Sequence, residues 1–560
     1  MRRVSRILLL LAAGTPGTLG AQAHPAMPGM PMGTDTAMAV PIPMPRGMVI
    51  LPGLVGLRPP VSPFLPGLGL DAAALPAARP SAVLRLRSGD TLDLTASLLR
   101  RTIGARTFVM YGFNGQVPGP LIRVTRDATI TVRFRNRIDL PSSVHWHGVR
   151  LDNRSDGVPG VTQAAVEPGG TYTYTVHFPD AGIYWYHPHV REDIEQAMGL
   201  YGNMLVESPD PGYYSPANRE QALVLSDLMI NADTLIPFGK EAPDFALMGR
   251  VGNVPLVNGE PVYTLSVGRG EVVRFYFTNA ASSRTWNISL GGVPMKVAAS
   301  DVSRFEREAW VHSVVLAPAE RYVVEARFDA PGRFPLVNAI QAIDHYRGEF
   351  DARVDTLGWV TVDPAPAAPD YGTSFATLRA NAEVTADIAK YRPYFIREPD
   401  KALTLTVATS GLPLTTVQFM AIDTAYYHPV EWVDGMPEMN WLSTGQQVRW
   451  ILRDDATGRE NEAIDWHVKR GSVVKLRIFN DPKSFHPMQH PIHLHGQRML
   501  VVSRDGVPAG NLVWKDTVLI PVGSIVDLLI DASNPGDWML HCHIAEHLGA
   551  GMMTVLHVDP

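Results

Sequence analysis

At 560 residues the chain is too long for one compact core, and two to four domains are expected. Hydrophobic content of 46% and charged content of 19% are those of an ordinary folded protein rather than a disordered one. A net charge of −6, with no long Lys/Arg run, excludes a basic nucleic-acid-binding surface.

The first element in chain order is a targeting segment. Arg2, Arg3 and Arg6 supply a positive start, Ile7 to Ala13 an apolar run too short to cross a bilayer, and Ala21-Gln22-Ala23 a small-residue cleavage site. Residues 1–23 therefore read as a signal peptide, and the product as an exported protein, periplasmic or extracellular. The Arg2-Arg3 pair fits a twin-arginine signal, although paired arginines occur in many such segments. No other stretch is long and apolar enough for a membrane span. Residues 24–80 are crowded with Pro, Gly and Ala and carry Met27, Met30, Met32, Met38, Met44 and Met48 without helix or strand periodicity. They read as a flexible leader whose thioethers are soft enough for Cu(I).

Beyond the leader the chain reads as β. Short alternating runs such as Ala128 to Phe134 and Thr171 to Phe178 are bounded by Gly/Pro turns. A charged or glycine turn feeding an alternating strand that ends in Asn occurs three times, at Arg126 to Asn136, Arg269 to Asn279 and Arg470 to Asn480. Such spacing predicts an all-β chain of three tandem Greek-key sandwiches. The expected boundaries are 81–212, 213–362 and 386–560, with a Pro/Ala-rich linker over 363–385.

Ten of the 18 histidines fall in tight clusters. His145-Trp146-His147 and His187-Pro188-His189 lie in the first domain; His490, His493 and His495, then His541-Cys542-His543 and His547, lie in the last. Side chains at i and i+2 of a strand share a face, so each His-x-His pair can aim two imidazoles at one site. Four pairs, two from each terminal domain, predict a metal cluster between those domains. Cys542 is the only cysteine and cannot form an internal disulfide. It points to the face opposite His541 and His543, and therefore to a different site. One thiolate, two imidazoles and a weak axial thioether from Met552 describe a blue-copper centre.

With these residues in view, the chain resembles the multicopper oxidases. The resemblance covers about residues 80 to 560 and rests on His145-Trp-His-Gly148, Trp185-Tyr-His-Pro-His189, His490-Pro-Ile-His-Leu-His-Gly496 and His541-Cys-His543 followed by His547 and Met552. Asn114 to Pro120 and Leu256 to Gly259 also match. The resemblance implies cupredoxin-like domains and four copper ions. Type 1 copper would be held by His490, Cys542, His547 and Met552, and type 2 copper by His145 and His493. The type 3 pair would be held by His147, His187, His189, His495, His541 and His543. It further implies a laccase-like oxidase that takes electrons singly from phenols or aromatic amines and reduces O2 to water.

Asp156 matches a family acid near the type 2 copper and is assigned proton relay; its plainer role is to cap the turn at Gly157. Many bacterial relatives carry a second acid directly after the second type 1 histidine. Leu548 stands there instead, which puts that proton route in doubt. The other histidines read as surface or satisfied polar residues. Oxidation of Cu(I) or another metal ion is the alternative activity, favoured by the Met-rich leader but weakened by the sparseness of Met420, Met436 and Met439. A zinc hydrolase would leave Cys542, His547 and Met552 without a purpose. The filled type 3 positions favour O2 over nitrite as acceptor. The expected partners are O2 and a small reductant, with no nucleic acid and no membrane; the protein is expected to act as a monomer.

Overall fold

A computed structural model describes residues 57–231, 234–344, 349–420 and 437–560. The expected signal peptide, most of the expected Met-rich leader, His24, His345 and His428 lie outside the described residues.

Strands dominate, and they assemble into three successive pairs of sheets. The first pair, of four and five strands, uses Val83–Arg85 through Gly202–Glu207. The second, of six and five strands, uses Arg219–Leu228 through Glu349–Pro366. The third, of seven and five strands, uses Lys401–Thr409 through Met553–Asp559. Each pair encloses its own apolar core, for example Leu94, Phe134 and Trp146 in the first, Phe275 and Trp286 in the second, and Trp450, Leu528 and Trp538 in the third. The molecule is thus a tandem of three cupredoxin-like β-sandwiches.

The three repeats are the same structural part. Thr129–Arg137 runs parallel to Thr91–Ile103 and antiparallel to Thr171–His177. Glu271–Asn279 lies the same way between Arg219–Leu228 and Arg321–Phe328, as does Ser472–Asn480 between Lys401–Thr409 and Ile525–Ala532. The asparagine that ends each repeat is buried and ties the corner after the strand. Asn136 Nδ2 donates to the carbonyls of Leu140 and Val166, Asn279 Nδ2 to those of Arg284 and Leu316, and Asn480 Nδ2 to those of Met488 and Ile520. An amide has both donors and an acceptor for this task, which explains why no other side chain ends the motif.

The stretch Pro63 to Pro80, expected as part of a flexible leader, is paired chain. Pro63–Phe64 pairs with Phe238–Gly239, and Ala78 N donates to the Arg100 carbonyl. The stretch expected as a bare linker carries the helices Gly372–Ala376 and Ala382–Ala389, and Val384 and Ile388 pack on Leu500, Trp514 and Leu529 of the last sandwich. Apolar spacing too short to register as a helical period explains why sequence alone left it featureless. No helix among the described residues is long and apolar enough to cross a membrane.

Candidate metal centre

His145 and His147 occupy the edge strand His145–His147, and its neighbour Gly182–His187 sets His187 opposite His145. The pleat sends Trp146 the other way, into the first core. The last sandwich repeats the device. His490–Leu494 pairs with Gly536–Cys542, so that His493 faces His541 and Ile492 faces Cys542.

His145, His147, His187, His189, His493, His495, His541 and His543 converge from the first and third sandwiches. Three triplets, His145–His147–His493, His147–His187–His543 and His189–His495–His541, each bring their ligand atoms within 4.8 Å of one another. Rings stack across the domain boundary, His145 on His495 at 3.9 Å and His147 on His493 at 3.8 Å.

Five of the eight rings rest an outward nitrogen on an acceptor that fixes the tautomer. The Nδ1 of His145 donates to the Asp156 carbonyl, His187 to Pro188, His493 to Asp516 and His541 to Cys542, all at 2.8–2.9 Å. His495 Nδ1 donates to Asp156 Oδ2 at 2.9 Å. An Nδ1 that carries the proton leaves Nε2 as a lone pair. The Nε2 atoms of His145, His187, His189 and His493 are buried with no hydrogen-bond partner, as are Nδ1 of His147 and both ring nitrogens of His543. Buried polar atoms without partners are costly unless something fills the space between them. Burial, reinforced by neighbouring imidazoles, drives His187, His189, His495 and His541 well below the ordinary histidine range, so these rings are neutral and ligand-competent. The donor set fits a cluster of metal cations.

Cys542 turns to the opposite face. Its Sγ lies 3.5 Å from His490 Nδ1 and 3.7 Å from His547 Nδ1, and those two nitrogens are 3.2 Å apart. His547 is locked by its Nε2 donating to the Leu247 carbonyl at 3.1 Å. Trp450 stacks on the His547 ring at 4.1 Å. Met552 is fully buried in the same core. Burial pushes the Cys542 thiol up and His490 down to about 3, so both groups are neutral unless a cation displaces the thiol proton.

Asp156 is fully buried directly after the turn Asn153–Ser155. Its carboxylate accepts from His495 and its carbonyl from His145, so it joins the two domains' histidines. Gly157 follows at φ +83°, where a Cβ would strike the Val144 carbonyl.

Leu548 is half-buried on the helix Ala545–Gly549 and carries no acid function. Three acids to which sequence spacing gave no role stand nearby. Glu192 Oε1 is 3.3 Å from His189 Nδ1, Glu195 Oε2 accepts from Ser142 Oγ at 2.6 Å, and Glu546 Oε2 accepts from Ser283 Oγ at 2.7 Å. All three are buried. Burial, with the Asp193 charge beside it, lifts Glu546 to about 8; burial likewise holds Glu192 and Glu195 well above the carboxylate range. Asp516 was also missed. It is fully buried, and although burial pushes it up, Arg321 and His147 hold it well below the carboxylate range. Only the run Glu192-Asp193-Ile194-Glu195 beside His189 offered a local hint.

Of the remaining histidines, His467 and His557 stack near the surface beside Asp559 and Asp537. His486 is fully buried.

Three family models, each described as multicopper oxidase, match residues 100–211, 219–356 and 435–560. The chain is 29% identical to "Multicopper oxidase MmcO" of Mycobacterium tuberculosis over 87% of its own length and 90% of the relative's. It is 24% identical to "Copper resistance protein A" of Pseudomonas syringae pv. tomato, covering 88% of this chain and 97% of that one. It is 26% identical to "Laccase-1" of Fomitopsis schrenkii, covering 80% and 82%.

Proposed function

Because this chain belongs to the multicopper oxidase family, copper-dependent oxidoreductases that use O2, we propose that it couples one-electron oxidation of phenols or aromatic amines to four-electron reduction of O2 to water. The observation that carries this is the place of Cys542, whose backbone joins a thiolate–imidazole site directly to two imidazoles of the eight-histidine cluster. His490, Cys542, His547 and Met552 would hold type 1 copper, and His145 and His493 type 2 copper. His147, His187, His189, His495, His541 and His543 would hold the type 3 pair. Copper bound by these residues supplies the one-electron steps and the chemistry of O2.

The protein contributes geometry and protons. Carbonyl and carboxylate acceptors keep the inward nitrogens of His145, His147, His187, His493, His495 and His541 unprotonated. Trp450, buried and stacked on His547, walls the thiolate site. Asp156 holds the His145 and His495 rings through its carbonyl and Oδ2, which puts it in place to relay protons. Where Leu548 offers none, Glu546 can hold a proton at Oε1, which has no partner, and burial keeps that proton in place up to about pH 8.

A second reading, oxidation of Cu(I) or another metal ion, is supported by the name of the copper resistance relative and by the Met-rich leader. Steady-state kinetics with a phenolic dye against Cu(I), before and after deletion of residues 24–75, separates the two. Phenol turnover that is independent of the leader and far above Cu(I) turnover supports the first. Cu(I) preference that falls with the leader replaces it by the second. The basic and apolar start of the chain supports export to the periplasm or medium, where the protein would act as a monomer.

A further inference from the structure

His147 is turned the opposite way from its neighbours. His145, His187, His493, His495 and His541 each put Nδ1 on an outer acceptor. His147 instead donates from Nε2 to Asp516 Oδ1 at 3.0 Å, with Thr517 Oγ1 at 3.1 Å, and its Nδ1 has no partner. A carboxylate only accepts, so the proton must sit on Nε2 and the lone pair on Nδ1.

Asp516 is itself held. Arg321 Nη1 donates to Asp516 Oδ1 at 2.6 Å and Nη2 to Oδ2 at 2.5 Å, the two-pronged fit of a guanidinium on a carboxylate. Thr517 Oγ1 donates to Oδ1 at 2.8 Å. Arg321 is fully buried on the middle sandwich, which has no clustered histidine. Its Nε donates to the Ile183 carbonyl of the first sandwich at 3.1 Å, and its Nη1 also reaches the Ala319 carbonyl at 3.2 Å. One guanidinium therefore touches all three sandwiches. Gly148, directly after His147 at φ +83°, leaves the space this pair fills: a Cβ there would collide with Asp516 Oδ2 and Arg321 Nη2. A methyl group at 148 would therefore disturb both partners at once.

We propose that Arg321 is a positioning residue which, by clamping Asp516, presets the reversed ring of His147 and so makes the middle domain part of the metal cluster's assembly. The inference rests on the multicopper oxidase reading of the site. Lysine keeps the charge but loses the fork, and asparagine at 516 loses the paired acceptor. Partners of a metal-bound histidine commonly change metal affinity about 10- to 100-fold when removed.

The test compares full-length wild type with Arg321→Lys and Asp516→Asn, each loaded with copper and dialysed against a graded chelator series. Copper per chain, the blue absorption of the Cys542 site and the electron paramagnetic resonance of the remaining copper are read, with melting of the unloaded proteins alongside. The expected result is intact blue absorption with cluster copper held about 10- to 100-fold more weakly, Asp516→Asn the worse of the two. Wild-type copper content, chelator resistance and resonance in both variants overturn the proposal, and so does blue absorption lost in step with cluster copper. If Asp516→Asn fails to fold, Arg321→Lys decides alone by the same criteria. A wild type that binds no copper and shows no blue absorption instead overturns the family-level function, and this inference with it.

Discussion

At the scale of single residues, burial sets the chemistry. Cys542 has no exposed surface and two imidazole nitrogens within 3.7 Å of its sulfur. Cys542→Ser should abolish the blue thiolate-to-copper absorption and remove one copper per chain while sparing cluster copper; absorbance with elemental analysis reads both. Glu546 is a second test of burial. In the fold it keeps its proton to about pH 8, whereas an unfolded chain releases it near the ordinary glutamate value of about 4.3. Between those values the folded state holds a proton that the unfolded state lacks, so stability falls as pH rises and levels off above about 8. Glutamine does not ionise and keeps an acceptor for Ser283. Metal-free Glu546→Gln should therefore melt like wild type near pH 4 and above it near pH 9, by an amount on the order of a few kcal/mol at most. Equal melting temperatures at both ends would refute the assignment.

At the scale of elements, the repeat strand and its terminal asparagine frame each sandwich. Asn279 makes two donor bonds and accepts from Ala281 N and Trp286 Nε1, all in the interior. Asn279→Ala should cost roughly 2–4 kcal/mol, because it strands several buried polar groups at once. Urea denaturation followed by Trp fluorescence would show the middle sandwich opening first. These elements also show what could be read in advance. Period-two spacing made His145/His147, His493/His495 and Cys542 legible, because face and neighbour are local properties of a strand. The three asparagines were visible, yet their bonds run to carbonyls set by loop geometry. Arg321 and Asp516 were not legible at all: the partners lie 195 positions apart, and nothing local distinguishes a buried arginine from a surface one. The pairing of Pro63–Phe64 with Phe238–Gly239 was hidden for the same reason, since two-residue strands carry no period.

At the scale of the whole molecule, the candidate metal cluster lies across a seam between the first and third sandwiches. Asp156, Asp516 and Arg321 bridge the same seam. A ligand that binds only the folded state stabilises it, and one that needs two domains stabilises them together. Calorimetry should show copper-free protein unfolding earlier and in more than one step, and copper-loaded protein in a later, narrower transition. Independent melting of the terminal domains with copper bound would contradict a shared cluster. The second sandwich, although without clustered histidines, enters the same cooperative unit through Arg321.

The division of the cluster between distant stretches of chain also has a consequence for biosynthesis. A ribosome makes the segment containing His145, His147, His187 and His189 long before His493, His495, His541 and His543 exist. During that interval the nascent first domain presents four imidazoles as an open half-chelate, able to trap whatever cation is abundant. Complete loading of the cluster would therefore wait until the last sandwich has closed over the first, whereas the Cys542 site is built within the last sandwich alone.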